Sequence, residues 1–205
     1  MKKLTAILIL LLLHAVTYSQ AVVIKHKSAI TVEYLRPTAD ATTSNTALKN
    51  ALGFSGTALS SSSMSTVYAG KTGAPPTGAS ATQVANSIGT ASRYKMRVLS
   101  TLQAPSSACA TSATLQVSLS CSVSDAGHNT GGECAAVFST NGGTTWSNLY
   151  SYPSNTTASD SQTTYSATIT GATLSNVQIG VGAEGYTDTG SATITAYDAA
   201  VVCTH

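Results

Sequence analysis

Charge is scarce in this sequence. Asp, Glu, Lys and Arg together make up 9% of the chain, against about a quarter in an ordinary soluble protein, and Ser, Thr, Ala and Gly stand in their place. So little Lys and Arg excludes the electrostatic grip on phosphate by which nucleic acids and acidic membranes are bound. The nearest approaches to a basic set, Lys25/Lys27 and Arg93/Lys95/Arg97, alternate within strand-like runs and read as the solvent faces of strands. Helical periodicity is equally scarce, with 46–52 offering one or two turns at most. Beyond residues 4–16 there is no second apolar run of that length, so no membrane span is expected in the mature chain. Also missing are C-x-x-C, G-x-S-x-G, H-E-x-x-H and any phosphate loop, which removes the readiest zinc, serine-hydrolase, metalloprotease and nucleotide readings. A glycoside-active enzyme needs only two carboxylates at a separation set by the tertiary structure, and it stays as a remote alternative.

What is present begins with an export signal over 1–19. Lys2 and Lys3 supply a short charged n-region of bacterial type, 4–16 is apolar but shorter than the ~20 residues that span a bilayer, and Thr17, Tyr18 and Ser19 form a cleavage context. Cleavage before Gln20 turns 10 basic and 8 acidic residues into 8 of each. The mature protein is then neutral, and its expected location is secreted or at the cell surface.

The mature chain reads as β throughout. Ile24, Ile30, Val32 and Tyr34 share one face of a strand over 23–35, with His26 on the same apolar face. Tyr94, Met96, Val98 and Leu102 point to the core from 93–103, and Leu115, Val117, Leu119, Cys121 and Val123 form an apolar row against Thr114, Gln116, Ser118, Ser120 and Ser122. Further strands follow at 134–140, 144–152, 165–169, 177–181 and 191–203. About seven or eight short strands with Gly, Asn and Ser turns predict an all-β, two-sheet antiparallel sandwich of the jelly-roll type, as a single domain over 20–205. An irregular Ser/Ala/Thr/Gly-rich region at 38–92 is expected to hold weak strands near 65–69 and 82–88. Its alternative, a linker, is disfavoured because 23–35 alone cannot bury its apolar face.

Four cysteines in an exported chain predict two disulfides. The pairing expected is Cys121–Cys134, on strands taken as adjacent and antiparallel, leaving Cys109–Cys203 to tie down the C-terminus. No cofactor is expected. The cations considered are Ca²⁺ or a transition metal at Asp125, His128 and Glu133 in the polar loop 124–133, and Ca²⁺ at Glu184 and Asp188 in the acidic turn 182–190, because carboxylate oxygens suit hard cations and imidazole softer ones.

The chain is organised around a hairpin at 134–153. Asn141-Gly142-Gly143 signals a tight turn, with Asn141 and Gly142 placed to supply the positive φ of a type I′ turn. Trp146, Asn148, Tyr150 and Tyr152 alternate beyond it and are expected on one face, as core anchor or as a stacking platform for a ligand. The turn at 139–146 resembles the Asp-box of sialidases, S-x-D-x-G-x-T-W: Ser139, Gly143, Thr145 and Trp146 match, and Asn141 stands where the box has Asp. That resemblance implies a hairpin turn with an inward-packed Trp. It implies no sialidase activity, because the chain has one box, three Arg and too little length for a six-bladed propeller. The course from Leu35-Arg36-Pro37 through this turn to the final strand resembles jelly-roll modules of secreted and phage-associated proteins, of the carbohydrate-binding kind. The expected function is non-catalytic: adhesion to a glycan or cell-surface component through Trp146, Asn148, Tyr150 and Tyr152. The alternative is self-assembly as an extracellular structural subunit of a fibre or surface layer. Exposed aromatics favour the first, and buried ones the second.

Overall fold

A computed structural model of the chain describes residues 30–37, 45–58, 82–88, 92–101, 112–125, 131–170, 173, 176–186 and 190–204. The expected leader, His26, Cys109, His128, Asp188 and the strand near 65–69 lie outside the described residues. The strands are β1 Ile30–Pro37, β2 Thr57–Ala58, β3 Thr82–Ile88, β4 Arg93–Thr101, β5 Ser112–Ser124, β6 Gly132–Ser139, β7 Ser147–Ser154, β8 Ala158–Ile169, β9 Gln178–Gly185 and β10 Ser191–Thr204; one short helix, α1, spans Thr46–Leu52. No helix among the described residues is long and apolar enough to cross a membrane.

The strands build two packed sheets. In the first, β8, β5 and β10 are neighbours, and the far edge of β10 is shared by β3 and the first half of β1. In the second the order is β7-β6-β9-β4, with the second half of β1 and the two-residue β2 along the far edge of β4. Every pairing is antiparallel except β2 with β4. β1 passes from one sheet to the other between Tyr34, opposite Ala200, and Leu35, opposite Thr101. It closes one side of the sandwich, so this first of the described strands is built into both sheets. Within 38–92, β3 pairs with β10 and α1 packs on the second sheet.

The main core lies between the sheets, where the alternating rows of β5 and β10 meet Ile179, Val181 and Ala183 of β9 and Cys134 and Ala136 of β6. The second sheet is also covered on its outer face. Leu48, Leu52 and Phe54 lie there on Tyr94, Met96, Ala135 and Val137. α1 is too short to be stable alone. Asn45 caps it by accepting from Leu48 N at 2.9 Å, and Gly53 ends it in the left-handed region at φ 83°. Leu48 and Leu52, one turn apart, turn the same face to the sheet.

This double coverage corrects the reading of β4. Tyr94 and Met96 are buried as expected, but beneath α1 rather than between the sheets. The row of Arg93, Lys95 and Arg97, assigned to solvent, belongs to the inner side: Arg97 lies opposite Val181, shares a face with core residue Leu99, and is only 1% exposed. Both faces of β4 are covered, so alternation told the faces apart without saying which was inner.

Cys121 of β5 and Cys134 of β6 form the expected disulfide, with Cα atoms 6.0 Å apart. The strands are not neighbours in one sheet, however. The bond crosses the core from one sheet to the other. Cys203 is disulfide-bonded as well.

Candidate functional site

The turn after β6 is built by its own side chains. Ser139 Oγ accepts from Asn141 N at 3.2 Å and Gly143 N at 2.9 Å, and donates to Asn141 Oδ1 at 2.9 Å. Thr145 N donates to the same Oδ1 at 3.0 Å. Asn141 Nδ2 donates to Thr145 Oγ1 at 2.8 Å, a bond that the Asp of an Asp-box, ionised and acceptor-only, could not make as donor. The positive φ values fall on Gly142 and Gly143, at 71° and 85°, not on Asn141. The two-residue turn expected at Asn141-Gly142 is therefore a longer loop between Ser139 and Ser147, closed by side-chain hydrogen bonds.

The four hairpin candidates do not share a face. A register shift between Ala136, opposite Tyr150, and Val137, opposite Asn148, leaves Leu149 as an extra residue in β7. A bulge of one residue reverses the facing of everything beyond it. Trp146 accordingly packs half-buried on the outer cluster under α1, and its Nε1 is buried without a hydrogen-bond partner. Tyr150 turns into the main core and is 6% exposed, Tyr152 is half-buried against that core, and Asn148 is exposed.

A polar cluster that went unnoticed in the sequence joins the two sheets at their β7 and β8 edges. Tyr150 OH and Tyr165 OH donate to the same Asp160 Oδ2 at 3.1 and 3.0 Å, and the two rings lie 4.7 Å apart, tilted by 49°. Burial, and next the Asp160 carboxylate, push the Tyr150 hydroxyl far above its ordinary value. Tyr165 is raised by burial and by its bond to Asp160. Both phenols stay protonated donors, and the cluster ties the sheet edges together.

The candidate cation ligands resolve into a different arrangement. Glu133 of β6 and Glu184 of β9, which the sequence assigned to separate loops, are direct register partners. Glu184 is 1% exposed. Its Oε1 accepts from Gly56 N at 2.6 Å and from Ser55 Oγ at 3.5 Å, and its Oε2 accepts from Ser55 N at 3.2 Å. A side chain at Gly56 would run into Glu184 Oε1 at 2.6 Å and into the Ser92 carbonyl, so the close approach depends on glycine there. Glu184 thus holds the segment after α1 against the sheet. Glu133 accepts from Ser151 Oγ at 3.0 Å and Tyr186 OH at 3.4 Å. Asp125 lies at the end of β5, where Thr157 Oγ1 accepts from its N–H at 3.0 Å and donates to its carbonyl at 3.1 Å. Among the described residues, no group of three His, Cys, Asp or Glu converges as a metal site.

Burial raises the Glu133 carboxyl above its ordinary value, with the Glu184 charge adding to it, while the bonds from Ser151 and Tyr186 work the other way. Tyr186 is pushed up to about 12 by burial and the Glu133 charge. A raised carboxyl is favoured protonated in the fold, so its contribution is fully present below the ordinary glutamate value and is lost as pH rises through the elevated one. Glu133→Gln is therefore expected to melt above wild type at neutral pH, with the gap closing on acidification below the usual carboxylate range. A gap that widened on acidification would refute this.

The outer face of β5 completes the surface. Ser112, Thr114, Gln116, Ser118, Ser120, Ser122 and Ser124 alternate there with buried residues, and Ser120 Oγ lies 3.1 Å from Tyr197 OH. Gln116, Val117, Ser118, Thr164 and Ala200 line a hollow of about 110 Å³. No protein-family model matches the chain, and no curated protein sequence matches it.

Proposed function

We propose that this chain is an exported, non-catalytic jelly-roll subunit that associates with copies of itself outside the cell. The observation that carries the reading is the placement of the hairpin aromatics. Tyr150 is buried, and Trp146 and Tyr152 are packed half-buried on the two clusters. The outer face of β5 is a neutral row of hydroxyls and one amide, a surface with little charge to resist association. The strand order supports the finer reading of the fold. With β1 and β2 set aside, the sheets run β3-β10-β5-β8 and β4-β9-β6-β7, the order that two Greek keys produce in a jelly roll. The buried Cys121–Cys134 disulfide suits an oxidising compartment.

The hollow at Gln116, Ser118 and Thr164 favours a second reading, in which the hydroxyl face binds a glycan or cell-surface component by polar contacts rather than by stacking. Light scattering behind size exclusion, with electron microscopy of the same fractions, separates the two. Particles, filaments or discrete oligomers of the secreted chain are expected. A monomer across the accessible concentration range, together with retention on immobilised polysaccharide, would replace the first reading by the second.

A further inference from the structure

Two strands end the sheets on the same side of the sandwich, and they are protected differently. β7, the edge of the second sheet, carries Pro153 and the bulge at Leu149, both of which discourage pairing with another strand. β8, the edge of the first sheet, has a register shift against β5 between Leu119, opposite Thr163, and Cys121, opposite Asp160. Its one charged side chain, Asp160, is engaged by the two tyrosines. From Thr163 to Ile169 there is no charge, no proline and no further register shift, and no described strand pairs with the outer edge. Thr164, Ser166 and Thr168 are exposed, while Tyr165 and Ala167 are half-buried and Ile169 is buried. Such an edge offers a row of backbone donors and acceptors to another strand.

We infer that 163–169 of β8 is a homotypic interface, pairing antiparallel with the same segment of a second copy so that the first sheets of two molecules become continuous. The partner follows from the sequence of the edge. Centred on Ser166, a two-fold antiparallel register sets Thr164 opposite Thr168 of the second copy, Tyr165 opposite Ala167, and Ser166 opposite itself. Outward hydroxyls meet outward hydroxyls and half-buried residues meet half-buried ones, which the two-residue repeat of a strand requires. Thr–Thr and Ser–Ser pairs are favourable across strands, and no like charges face each other. The paired molecules would also join their rows of outward hydroxyls into one face.

This inference rests on the self-association reading and narrows it to one edge. The test uses the secreted chain with Ser166→Cys, Ser166→Lys and, as a control on the interior strand β5, Ser122→Cys; both serines are exposed. Ser166→Cys is expected to form a disulfide-linked dimer, Ser122→Cys to stay unlinked, and Ser166→Lys to lose the dimer because two ammonium groups meet on the axis. If wild type scatters as a monomer throughout, self-association itself fails. If wild type associates but Ser166→Lys associates equally and Ser166→Cys links no better than Ser122→Cys, the β8 edge is wrong and the wider reading stands. Should Ser166→Lys fail to fold, the two cysteine variants decide the matter.

Discussion

Gly182→Val is expected to force α1 and Phe54 off the outer face of the second sheet. The outward positions of β9 are Gln178, Gly180, Gly182 and Glu184, and the two glycines are where the helix comes down. A Cβ on Gly180 would collide with Leu48 Cδ1, and one on Gly182 with the ring of Phe54, with Leu52 Cδ1 next at 3.0 Å. Overpacking of this kind costs about 1–3 kcal/mol even where the neighbours can shift. If they cannot, the burial of Leu48, Leu52 and Phe54, each 4% exposed or less, is forfeited at about 1.5–3 kcal/mol per side chain. The measurements are the denaturant midpoint and amide exchange over 48–54, which should quicken far more than exchange in β5 or β10. Wild-type protection of those amides in the variant would show that the helix tolerates the added side chain.

Replacing both Cys121 and Cys134 by alanine should destabilise the protein by about 2–4 kcal/mol. A cross-link across 13 residues of sequence separation limits the unfolded chain by an amount of that order. The sulfurs also fill space between the sheets, since the two residues are 2% and 0% exposed, so the variant loses packing as well as the cross-link. Urea denaturation of the double variant beside wild type reads the sum. A midpoint unchanged within error would mean that the strands of the two sheets are held in place without the bond.

The elements themselves were largely legible. The boundaries of α1 and β3 match the helical turn and the weak strand expected inside 38–92, and the apolar row of β5 is buried as its alternation required. The Asp-box-like turn was legible too, because its hydrogen bonds connect residues no more than four apart. A further signal went unread: glycine at alternate positions of β9 marks a strand that another part of the chain approaches closely.

By itself the sequence located most of the strands, the helix and the turn at 139–146, but not β2 or the first half of β8. Cys121 does pair with Cys134, though across the two sheets and not between the neighbouring strands on which the pairing was expected. Periodicity and turn chemistry are written in residues near one another. Only the tertiary structure decided which side of β4 faces the main core, that the Leu149 bulge parts Trp146 from Tyr150, and that Glu133 stands opposite Glu184. The first and third depend on elements far away in the chain, and the second on the register that β7 takes against β6. A two-residue repeat distinguishes the faces of a strand, but what lies on each face, and in which register, is set by packing between elements.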